Sequence, residues 1–104
     1  MKRVIIESPY AGDVEANVAY ARECMLDSLR RGEAPFLSHL LYTQVLDDLL
    51  PTEREQGISA GFAWAHAAEL WAFYIDLGMS PGMTAALARA RSKAIPVALR
   101  RIRT

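Results

Sequence analysis

The chain has 104 residues, 52% of them hydrophobic and 23% charged, which predicts one globular domain over residues 1–104 and excludes a disordered chain. Twelve basic and twelve acidic residues give a formal net charge of zero, so no nucleic-acid or anionic-membrane partner is expected from the charge balance. Cys24 is the only cysteine, no run approaches the roughly 20 apolar residues that span a bilayer, and Met1-Lys2-Arg3 opens no secretory pattern; a cytoplasmic protein is expected.

Arg3 to Glu7 is predicted as a first strand on its β-branched centre, Val4-Ile5-Ile6, and it ends in the turn-rich Ser8-Pro9-Tyr10-Ala11-Gly12. Asp13 is a helix N-cap and Gly32 a stop, with Val14, Val18, Ala21, Met25 and Leu29 as the apolar stripe between them. Cys24 falls within that helix and is expected in the core. Ala34 to Ser38 is predicted as a second strand, followed by an apolar stretch, Leu40 to Leu50, with room for a short helix. Thr52 and Glu55 match a capping box opening a helix to about Ala68. Leu70 to Ile75 is apolar on both faces, as in the buried middle of a parallel sheet. Ser80-Pro81 opens a helix to about Lys93, and a last strand starts near Pro96. The alternation of strands and helices predicts right-handed crossovers and a mostly parallel sheet.

In such a sheet the strand ends Glu7 to Tyr10, Ser38-His39 and Asp76 to Met83 converge on one edge, where α/β proteins bind ligands. Asp76 is placed to accept bonds from a sugar hydroxyl. Ser80, Gly82 and Met83 open a helix whose free amides attract an anion. Tyr10 is a stacking candidate, and His39 a candidate phosphate donor or acid–base group. Asp47 and Asp48 are either turn residues or ligand contacts. His66 is expected on the surface. Trp64 and Trp71 are expected in the core or an interface, and Arg100, Arg101 and Arg103 form a solvated tail. The two histidines have no metal-site spacing with a cysteine or acid, so neither a metal nor a cofactor is expected.

Several segments together resemble the nucleoside 2-deoxyribosyltransferase-like superfamily, in a branch found in phages and actinobacteria. They are Ser8-Pro9-Tyr10 with Gly12-Asp13, Asn17 to Arg22, Gly32 to Pro35, Ser38 to Gln44 and Leu46-Asp47-Asp48. Pro51 with Glu53-Arg54, Gly57-Ile58 and Asp76 to Met83 complete the set. The resemblance implies a flavodoxin-like (Rossmannoid) three-layer α/β sandwich with a four- to five-stranded, mostly parallel sheet, a homodimer or higher homo-oligomer, and a nucleoside or nucleotide ligand. It implies that Asp76 orients the sugar, that Tyr10 helps position the nucleophile, and that Ser80 with the Gly82 and Met83 amides contacts the 5′-hydroxyl or phosphate; Ser8 and His39 are expected ligand contacts from their place at the strand ends. The superfamily cleaves N-glycosidic bonds through a glutamate that attacks C1′. Ala86 stands where that glutamate is expected. Two readings follow: the carboxylate has moved, with Glu7, Asp47 or Asp48 as candidates and His39 as a further catalytic candidate, or the domain binds a nucleotide without cleaving it.

Overall fold

The computed structural model describes residues 1–103. The strands are β1 (Arg3–Glu7), β2 (Ala34–Phe36), β3 (Leu70–Tyr74) and β4 (Val97–Arg100); the helices are α1 (Val14–Arg30), α2 (Ser38–Leu41), α3 (Pro51–Ala63) and α4 (Pro81–Ser92). Short 3-10 turns follow α2 and α3, at Tyr42–Gln44 and Ala65–Ala67. All four strands are parallel, in the order β2-β1-β3-β4. The architecture is the flavodoxin-like three-layer α/β sandwich, with four strands rather than five.

Strand pleating sends alternate side chains to opposite faces, and each face has its own core. Val4, Ile6, Ala72 and Tyr74 pack under α1 through Tyr20, Ala21 and Cys24. Ile5, Trp71 and Phe73 pack on the other face under α4, through Met83, Ala86 and Ala90, with Ala65 beside them. β3 lies between β1 and β4 and carries four of the fully buried positions, Trp71 to Tyr74, as its unbroken apolar run predicts. No helix among the described residues is long and apolar enough to cross a membrane.

Helix boundaries follow local chemistry, with two corrections. Asp13 caps α1, its Oδ1 accepting from the Ala16 amide at 3.2 Å, and Gly32 ends it at φ +79°. The buried stripe of α1, however, is Asn17, Tyr20, Ala21, Cys24 and Ser28, while Val14 and Leu29 stay exposed. The reason is polar. Tyr20 and Ser28 bury their rings or stems and also reach hydrogen-bond partners on neighbouring elements, which a valine or leucine stripe does not offer. The second correction is at α3. Pro51 takes the first helical position and the cap is Leu50, with no side-chain bond, so Thr52 lies inside the helix and the expected capping box does not form. Glu53 instead accepts from the Asp47 amide at 2.9 Å. Further along, α3 passes so close to α2 that a Cβ on Gly61 would sit 2.8 Å from the Ser38 Cβ.

Arg100 is not part of a solvated tail. Its Nη1 and Nη2 donate to the two carboxylate oxygens of Glu33 at 2.8 and 2.7 Å, and Nη1 also to the Tyr74 hydroxyl at 3.0 Å. Tyr74 in turn donates to Asp27, and Ser28 to Glu33. Only 8% of the Arg100 side chain is exposed. Arg101 is exposed, whereas Arg103 pairs with Glu23 and lies over the Tyr20 ring.

Candidate functional site

The strand order reverses its direction of growth at β1 and β3, which opens a crevice beyond their carboxyl ends. A cavity of about 450 Å³ lies there, within the usual range for small-molecule sites. β1 ends in it with Glu7 and Ser8, the following loop adds Tyr10, α2 adds His39, α3 adds Arg54 and Phe62, and the first turn of α4 closes it with Ser80, Gly82 and Met83. Tyr42, Leu46 and Ile58 make much of the remaining wall apolar.

Glu7 is the chemically unusual member. The Trp71 indole N–H donates to its Oε1 at 3.3 Å, which favours the ionised form. Burial outweighs that bond and pushes the carboxyl up to about 7, so at neutral pH it exchanges a proton readily. Beside it, Ser8 Oγ and His39 Nε2 are 2.7 Å apart. Burial holds the His39 imidazole down to about 4, and the ring is neutral at physiological pH. The loop carrying Tyr10 is fixed by Asn17, whose Nδ2 donates to the Tyr10 and Ala11 carbonyls at 2.9 and 3.1 Å.

These two shifts give opposite pH dependences of stability. Glu7 is raised in the fold, so its contribution is complete below about 4.5 and is lost as pH climbs through about 7. His39 is lowered, so its contribution is complete above about 6.5 and is lost as pH falls through about 4. Each is worth up to about 3 kcal/mol at 1.36 kcal/mol per pKa unit. In the native chain they offset one another between pH 4.5 and 6.5. Urea unfolding across that window should show Glu7→Gln gaining stability relative to the native chain as pH rises, and His39→Gln losing it.

Six of the seven expected ligand contacts reach the cavity: Ser8, Tyr10, His39, Ser80, Gly82 and Met83. So do three of the catalytic candidates, Glu7, His39 and Asp48, whereas Asp47 does not line it. Asp76 does not. Its carboxylate accepts from the Tyr20 hydroxyl at 2.5 Å and from the Ile102 and Arg103 amides at 3.0 and 2.7 Å, so its bonding capacity is taken by α1 and by the irregular segment that follows β4. Asp47 is a turn residue, with Oδ1 accepting from the Leu49 amide. Ser80 caps α4, its Oγ accepting from the Met83 amide at 3.2 Å, which takes up one of the two amides expected to meet an anion. Ala86 faces the sheet at 1% exposure, while its neighbour Ala85 lines the cavity. Glu53 and Arg54 were not singled out as site residues; Arg54 lies 3.7 Å from Asp48 across the cavity wall. Their helix is only weakly amphipathic in sequence, and nothing in the local pattern says which of its faces lines a cavity. Among the described residues no group of three or more His, Cys, Asp or Glu is placed to hold a metal ion.

The family model of a domain of unknown function, DUF7768, matches residues 2–100. The chain belongs to that family. Neither the curated proteins nor the solved structures give a match. The DUF7768 match covers every strand and helix and all the cavity residues named above, so the switch-point cavity lies within the matched domain.

Proposed function

We propose that the cavity binds a nucleoside or closely related N-glycoside, and that Glu7 supplies the carboxylate chemistry for cleaving it. The observation that carries this reading is the Glu7 carboxyl itself: an acid poised near neutrality at the tip of β1, inside an apolar-walled crevice at the switch point. An ionised carboxylate there can attack C1′ of the sugar, and a protonated one can hand its proton to the departing base. The resemblance of the Ser8-Pro9-Tyr10 and Asp76 to Met83 segments to the nucleoside 2-deoxyribosyltransferase-like superfamily supports the same class.

Charge favours an unphosphorylated ligand. The cavity carries Glu7, Asp48 and Glu53 against one cation, Arg54, which is already paired with Asp48. The neutral His39 ring adds no positive charge, and Ser80 has already capped one α4 amide. A phosphate dianion would meet net repulsion at short range. The sugar hydroxyls of a nucleoside, by contrast, find carboxylate acceptors, and its base finds the apolar wall.

The test has two readouts. A nucleoside held at a hundredfold excess over its dissociation constant should stabilise the fold by about 2.7 kcal/mol, a rise of roughly ten degrees in Tm for a domain of this size. Its 5′-monophosphate should give a smaller rise. Chromatography should detect free base, and Glu7→Gln should abolish the release while keeping the thermal shift. No shift with any nucleoside would sink the reading. A shift without base release favours the second reading, a binding domain without catalysis, which has its own support: α4 carries no acid from end to end.

A further inference from the structure

The shortest contact between two side chains of the cavity does not involve Glu7. It joins Ser8 and His39, which lie 31 residues apart in the chain and come from different elements, the end of β1 and the first turn of α2. We propose that Ser8 and His39 form a nucleophile–base pair that hydrolyses small uncharged esters entering the same cavity.

The geometry meets the requirement for an activated serine. Ser8 Oγ and His39 Nε2 are 2.7 Å apart, inside the range in which an imidazole withdraws a hydroxyl proton. Nε2 accepts that proton when the ring carries its own hydrogen on Nδ1. Ser8 is only 5% exposed, and both residues line the cavity, so a substrate reaches the hydroxyl from the crevice and not from bulk water. The imidazole is neutral at physiological pH, so a ring nitrogen has a free lone pair, while burial makes it a weaker base than a solvated imidazole and sets a slow turnover as the expectation. Gly82 in the first turn of α4 lines the same cavity, and a first-turn amide has no partner within its helix, so it is the donor available for a developing oxyanion. Tyr42, Leu46 and Phe62 offer the apolar surface an acyl chain requires. The carboxylates of Asp48 and Glu53 disfavour an anionic substrate, which is why an uncharged ester is the class expected.

The step balances without an outside reagent. Ser8 Oγ bonds to the ester carbonyl carbon as its proton passes to His39 Nε2. The carbon–oxygen bond to the alcohol breaks, and the alcohol leaves with that proton. Water then attacks the acyl-serine, His39 takes a proton from it and returns it to Ser8 Oγ, and the carboxylic acid departs.

A fluorophosphonate probe with intact-mass detection and peptide mapping decides the matter on the folded native chain. One adduct is expected, on Ser8. Ser8→Ala should give none, and His39→Gln should slow labelling about a hundredfold while its far-ultraviolet circular dichroism stays native. p-Nitrophenyl butyrate should be turned over by the native chain and not by either variant. No adduct on the folded native chain would overturn the proposal, as would an adduct mapped to Tyr10, or labelling of Ser8 at an unchanged rate in His39→Gln. The mapping on the native chain needs no variant to fold. The outcome is separate from nucleoside binding, which is read by Tm and base release.

Discussion

Arg100→Met should cost about 3–5 kcal/mol of folding stability, a large part of the total for a domain of this size. The substitution preserves bulk and apolar reach but removes the cation hydrogen-bonded to Glu33, whose nearly buried carboxylate then keeps the Ser28 hydroxyl and the more distant charge of Arg31. It also frees the Tyr74 hydroxyl of one bond. The guanidinium holds the Glu33 carboxyl below its usual range, so the pair's contribution is lost as pH falls through that lowered value. Chemical denaturation at pH 7 measures the loss directly. Adding Glu33→Met to Arg100→Met should recover part of it, because a buried pair replaced whole by apolar side chains leaves no stranded charge. A double variant no more stable than Arg100→Met alone would show that the cost lies elsewhere.

Ala86→Glu should be destabilising by about 4 kcal/mol or more, and Ala85→Glu by less than about 0.5 kcal/mol. The two positions are adjacent on α4 and differ only in facing. Ala86 packs with Ile5, Trp71, Phe73 and Met83 between helix and sheet, where a carboxylate finds neither water nor a cation. Ala85 is exposed on the cavity side. Thermal melts of the two variants separate these environments. The same comparison bears on relocated chemistry. A glutamate placed at 86 reaches the core and not a ligand, so that substitution should not create glycosidic cleavage.

Much of the fold was legible in the sequence because its signals are local. Val4-Ile5-Ile6 and the run from Leu70 to Tyr74 mark strands by composition, and Asp13, Gly32 and Ser80-Pro81 punctuate helices by side-chain chemistry. The convergence of Glu7, Ser8, Tyr10, His39 and Ser80 was also legible, since parallel strands put their ends on one edge. What failed depended on distant partners. Asp76 looked like a ligand residue because a carboxylate at a strand tip usually faces the crevice. Its partners here are the Tyr20 hydroxyl, 56 residues away, and two backbone amides 26 and 27 residues away, and a backbone amide leaves no trace in composition. Arg100 read as solvated because its partner, Glu33, is 67 residues off. The buried stripe of α1 was set by the hydroxyls of Tyr20 and Ser28, whose pull a count of apolar residues does not register.

The absent side chain at Gly61 has a mechanical meaning. Because no methyl fits between that position and Ser38, α2 and α3 are seated directly on each other, and neither slides along the other without a collision. His39 rides on one of these helices and Arg54 on the other, so the pair makes a single rigid jaw with a fixed tooth spacing. The opposing jaw is the start of α4 with the Tyr10 loop. That second jaw is braced as well: Asn17 donates to the Tyr10 and Ala11 carbonyls, and the Ser80 hydroxyl accepts from the Met83 amide.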